Sequence, residues 1–108
     1  MAEEKLNNRF SLIQLINTVC LIYEIEPEVF ALPGKKQPSA SARAVAAYFV
    51  QEEEYLSLTD LGNFAHRDLA ALSRAAGRIR ERIIDDFDLA DKVALTREQL
   101  LRITKCQA

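Results

Sequence analysis

The sequence predicts an all-α domain, a helical bundle containing a helix–turn–helix, and three observations carry that expectation. Apolar residues recur every three or four positions, and nowhere do they alternate as in a half-buried strand. Ala and Leu, both strong helix formers, dominate the apolar 49%. Three Gly and three Pro are too few for the frequent turns of a β-sandwich. A length of 108 residues is enough for one core, so the expectation is a single domain over residues 1–108. Its core is expected over about residues 10–84, with a helical C-terminal extension over 85–108.

Leu12, Leu15, Ile16, Val19 and Ile22 or Tyr23 share one helical face, predicting a helix from about Asn8 to Glu24. Pro27 can open a short helical turn through Phe30, which Pro33-Gly34 ends. Lys35-Lys36-Gln37-Pro38 is a basic loop. Ser39 or Ser41 is then expected to cap a helix reaching about Gln51, with Val45, Ala46 and Phe49 inward. Two more helices are expected over Ser57–Phe64 and Asp68–Ile84, joined by Ala65-His66-Arg67. A last helix is placed after Thr96, because Thr96-x-x-Gln99 has the form of a capping box.

Composition excludes several classes. With 28% charged residues and no long apolar run, the chain is neither a disordered tail nor a membrane protein. Met1-Ala2-Glu3-Glu4 is acidic where a signal peptide would be basic, and Cys20 and Cys106 form no close pair, so a reduced cytoplasmic chain is expected. The net charge of −2 argues against a broadly basic nucleic-acid binder, yet the charge is unevenly placed. Residues 35–50 carry Lys35, Lys36 and Arg43 with no acid, and residues 67–84 carry five Arg against Asp68 and Glu81. Each block has a charge of +3, and the three blocks around them are acidic. A run of Arg is ordinarily the wet face of a helix. The sharper reading brings the two basic blocks to one surface.

Two short helices with a three-residue connection match a helix–turn–helix, whose second helix enters the major groove. Leu69, Leu72, Ala76, Ile79 and Ile83 form the expected apolar stripe of that second helix, leaving Ala70, Ala71, Ser73, Arg74, Gly77 and Arg78 outside. The small residues near its start allow close approach to DNA, and Arg67 at the helix N-terminus is placed to meet a phosphate.

These residues also carry a family resemblance. Ser41-Ala-Arg-Ala-Val-Ala-Ala-Tyr-Phe-Val50, then Leu56-Ser-Leu-Thr-Asp-Leu-Gly62, then Phe64-Ala-His-Arg-Asp68, resemble in order the C-terminal DNA-binding domain of the bacterial replication initiator DnaA, a fold similar to the Trp repressor. Val19, Tyr23, Ile25 and Phe30 match that family's leading helix and connector, so the resemblance covers roughly Leu12 to Ile84. It implies sequence-specific binding of double-stranded DNA through a basic loop and a helix–turn–helix. Departures are clear as well. The family's Gly-Gly-Arg-Asp-His-Thr-Thr signature keeps Arg67 and Asp68 but becomes Leu69-Ala70-Ala71 afterwards, so hydrogen-bonding groups for base edges are lost. Its minor-groove Arg falls near Gln37. The pattern Arg67-Asp-Leu-x-x-Leu-Ser-Arg74 is similar to the DnaA-like domain at the C-terminus of REP-associated tyrosine transposases, where a separate catalytic domain precedes it.

The resulting expectation is a DNA-binding surface of Lys35, Lys36, Ser41, Arg43, His66, Arg67, Asp68, Ala70, Ala71, Arg74 and Arg78, in an accessory domain of a transposase-like or initiator-like protein of the bacterial nucleoid. Asp68 has two readings, as a helix cap or as an acceptor from a cytosine amine. Neither catalysis, a cofactor nor a metal is expected. His66 is the sole histidine, the two cysteines are distant, and Pro33-Gly34-Lys35-Lys36 lacks the upstream Gly and terminal Ser/Thr of a P-loop. The alternative is a helical protein-interaction module that has lost DNA binding; no membrane partner is expected, and a catalytic domain of the same parent is a possible partner.

Overall fold

A computed structural model describes residues 9–32 and 37–107, with side chains through Thr104. The described residues form six helices and no strand: α1 (Leu12–Tyr23), α2 (Pro27–Phe30), α3 (Ser39–Glu52), α4 (Leu58–Ala65), α5 (Leu69–Arg82) and α6 (Phe87–Gln107). The all-α bundle expected from periodicity is the fold. No described helix is long and apolar enough to cross a membrane.

Helix α1 starts at a capping box that the periodicity alone did not show. Ser11 Oγ accepts from the Gln14 amide (3.1 Å) and the Gln14 side chain accepts from the Ser11 amide (2.8 Å), so the helix begins at Leu12, later than the expected Asn8. Glu24, in the left-handed region with φ 58°, stops it. Pro27 then stands at the first position of α2, as its fixed φ favours. Phe30 from that short turn is fully buried, with its ring centroid 6.0 Å from that of Phe64.

Helix α3 is the spine of the bundle. Ala42, Val45, Ala46, Ala47, Phe49 and Val50 are all buried, and its alanines let α5 lie close along it in the most extensive helix pairing of the fold. The expected serine cap does not form. Pro38 occupies the cap position, Ser39 and Ser41 lie inside the first turn, and the Gln37 carboxamide oxygen accepts from both the amide (3.1 Å) and the hydroxyl (2.7 Å) of Ser41. Ser57 does cap α4, accepting from the amides of Thr59 and Asp60.

The C-terminal third overturns two expectations. Thr96 does not open a helix; it is fully buried in the middle of α6, and its hydroxyl donates to the Lys92 carbonyl (2.8 Å). The cap is Asp86, whose carboxylate accepts from the Leu89 amide (3.1 Å) and pairs with Arg82 (3.1 Å). Nor does the core stop near residue 84. Leu89, Val93, Thr96 and Leu100 recur at helical spacing and are buried, packing α6 against α1.

Candidate nucleic-acid interface

The geometry of this region begins with the turn between α4 and α5. His66 caps α4 in the left-handed region, φ 56°, and the Arg67 amide donates back to the Gly62 carbonyl (2.9 Å). A Cβ at residue 62 would sit 2.7 Å from the Arg67 carbonyl oxygen, so the glycine is what lets the chain double back this tightly. Asp68 takes the extended N-cap position of α5, but its side chain makes no capping hydrogen bond and stays exposed. Its backbone therefore fits the capping reading and its carboxylate does not.

Helix α5 buries Leu72, Ala76 and Ile79, three of the five residues of the expected stripe, with Ile83 half-buried. Leu69 is the exception at 47% exposure, standing at the first position of the helix directly after the turn. Ala70, Ser73, Arg74 and Arg78 are exposed and Ala71 is half-buried, as the sequence placed them. Along one flank of α5 runs a groove of about 300 Å³, walled by Ala40 and Ala44 of α3 and Ala71 and Ala75 of α5. Arg43, Arg67 and Arg78 also line it, and no carboxylate does among the described residues. Alanines at i and i+4 on both helices make the groove, a spacing present in the sequence that composition and charge do not bring out.

The basic side chains divide by burial. Arg43, expected to meet a phosphate, is only 5% exposed, and its Nη1 donates to the Phe30 carbonyl (3.0 Å) and the Leu32 carbonyl (3.4 Å). It ties the end of α2 to α3, so its first role is structural. Burial lowers its pKa, and the nearby Arg67 charge lowers it further. Arg67 is half-buried at the mouth of the turn, whereas Arg74 and Arg78 are exposed. Ser41, also expected at phosphate, spends its hydroxyl on Gln37. Lys35 and Lys36 lie outside the described residues. Arg80 bonds to Gln51 and Arg82 pairs with Asp86, and both remain exposed.

A larger groove, about 820 Å³, lies at the opposite end of α3 among Phe10, Phe49, Tyr55 and Leu100. Its cations are already engaged. Arg97 pairs with Glu52 (3.1 Å) and lies over the Phe49 ring, and Arg9 lies over Tyr55. With Glu52, Glu53 and Glu54 around it, that groove repels phosphate. No three His, Cys, Asp or Glu converge as metal ligands among the described residues. Cys20 is buried, and burial with the nearby carboxylates of Glu26 and Glu28 pushes its thiol up to about 11, which removes it as a nucleophile. No protein-family model matches the chain, and no curated protein matches it.

Proposed function

We propose that the chain binds double-stranded DNA, with α4 and α5 as a helix–turn–helix and α5 lying in the major groove. The observation that carries this reading is the joint placement of Ala70, Arg74 and Arg78 on the outward side of α5, beside a groove whose charged lining among the described residues is wholly arginine. Small residues let the helix axis come close to base edges, and flanking guanidiniums meet the phosphates on either side. Arg67, Arg74 and Arg78 serve as phosphate contacts, joined by Lys35 and Lys36 of the basic loop. Arg43 supports the groove from beneath. The resemblance to the DnaA C-terminal domain, and to its variant in REP-associated tyrosine transposases, points the same way. It makes the chain an accessory DNA-binding domain of a bacterial transposase-like or initiator-like protein, acting at the nucleoid and without catalysis of its own.

A titration of duplex DNA across salt tests this directly. With about five phosphates contacted, raising salt from about 50 to 200 mM weakens binding roughly 500-fold. Arg74→Ala and Arg78→Ala each lower the log–log slope by about one. Absence of any complex at the lower salt, or slopes unmoved by both substitutions, rules the reading out.

One feature favours the protein-interaction alternative. At the corner between α5 and α6, Ile84 is 80% and Phe87 91% exposed, within a rim of Asp85, Asp86 and Asp88. Such a corner repels DNA and suits a protein surface, including that of a catalytic domain in the same parent chain.

A further inference from the structure

The corner between α5 and α6 holds apolar surface that the fold leaves uncovered. Phe87 is 91% and Ile84 80% exposed, in a stretch where Glu81, Asp85, Asp86 and Asp88 outnumber Arg82. Asp86 is engaged: it pairs with Arg82 (3.1 Å) and accepts from the Leu89 amide (3.1 Å), bonds that fix the corner on the end of α5. Glu81, Asp85 and Asp88 are exposed, and residues 81–88 carry a net charge of −3. A large side chain standing in water within a charged rim is the form that anchors take at protein interfaces.

The groove between α3 and α5 is its counterpart on the same chain, opposite in sign and apolar in its walls. Its alanines and buried Leu72 enclose about 300 Å³, at the lower bound of cavities that hold a small molecule, so it admits one aromatic ring and not a helix. Among the described residues its three charged side chains are all arginine, and exposed Arg78 and half-buried Arg67 are suited to lie against such a ring. The groove follows α5 between residues 67 and 78, whereas the corner begins at residue 81. Since α5 is one unbroken helix from Leu69 to Arg82, a chain cannot turn its own Phe87 back into its own groove. We infer that a second copy supplies it: Phe87 of one copy seats in the α3–α5 groove of the next, with Asp85 and Asp88 against Arg67 and Arg78. Unlike surfaces meet, so the copies join head to tail. The contact stands without the DNA-binding reading, but the groove flanks the side of α5 given there to DNA, so a duplex and a second copy compete.

Sedimentation equilibrium of the whole chain at low salt tests this. A contact of this size is weak, so the protein is taken from about 10 µM to about 1 mM. The mean mass is expected to rise above that of one copy across the range, and to fall again in about 0.5 M salt. Phe87→Ser and Arg78→Glu, both at exposed positions, each weaken association at least about tenfold. Phe87→Ser keeps the groove and Arg78→Glu keeps the corner. Mixed in equal amounts they restore one intact contact and give a pair of copies that neither forms alone. A monomer at the highest concentration, association that neither substitution weakens, or a mixture no heavier than its components overturns the inference. A protein that associates yet forms no complex with duplex DNA supports the inference and removes the DNA reading; one that binds duplex and stays monomeric does the reverse.

Discussion

Replacing Arg43 by alanine removes a guanidinium that is 5% exposed and donates to two carbonyls, those of Phe30 and Leu32. The Phe30 side chain is fully buried, so its carbonyl lies in a region where a lost donor is not readily replaced by water. A buried acceptor left unsatisfied costs about 1–3 kcal/mol, and a hydrogen bond from a charged donor contributes about 1.5–3 kcal/mol. Against this stands the cost of holding a charge out of water beside Arg67, which the substitution relieves. The balance is a loss of about 2–3 kcal/mol. For a domain of this size that corresponds to a fall in Tm of about 10 °C. Far-UV circular dichroism against temperature, with a urea titration alongside, measures it. Both bonds leave from the single nitrogen Nη1, so Arg43→Lys recovers stability only as far as the shorter lysine side chain brings its ammonium to that position. If Arg43→Ala melts within 2 °C or so of the parent, the tie between α2 and α3 contributes no net stability and the structural role fails. Loss of DNA affinity in a folded Arg43→Ala protein would then return this residue to the phosphate-binding set.

Other substitutions test neighbouring parts of the argument. His66→Gly relieves a left-handed backbone position and raises stability by about 0.5–1 kcal/mol, seen as a higher urea midpoint with an unchanged m-value. Gly62→Ala forces a Cβ to within 2.7 Å of the Arg67 carbonyl oxygen, which backbone movement must absorb. It costs about 1–3 kcal/mol and loosens the α4–α5 turn, lowering the Tm and DNA affinity together. A chain ending at residue 84 loses the buried side chains of Leu89, Val93 and Leu100, each contributing about 1.5–3 kcal/mol. It is expected to show no cooperative thermal transition, and a cooperative melt from that truncation would restore residues 85–108 to the status of an extension. The Cys20 thiol has a pKa raised by folding, so its protonated form stabilises the native state fully below the unfolded value near 9.0 and that contribution fades as pH rises towards about 11. Urea midpoints should therefore fall over that window, less so in Cys20→Ala, and thiol reagents should label Cys20 in a Cys106→Ser background no faster than the protein opens.

Most of the fold was legible in the sequence, because helices here are set by local periodicity. Leu15, Ile16 and Val19 recur at helical spacing whatever they pack against, and so do Leu72, Ala76 and Ile79. The exposed side of α5 followed from the same rule, which is why Ala70, Arg74 and Arg78 stand where expected. What sequence could not supply were properties that belong to pairs of distant segments. Arg43 reads as a surface charge until the end of α2 and the residues just after it bring two carbonyls to it, thirteen and eleven residues away in the chain. Thr96 reads as a cap until Leu89, Val93 and Leu100 put it on the buried stripe of a longer helix. Leu69 reads as core until the turn held by Gly62 leaves it half exposed at the start of α5. Periodicity shows which side of a helix is apolar; only the packing of α3 against α5 decides where that side ends. At that boundary the basic groove and the apolar first turn of α5 meet.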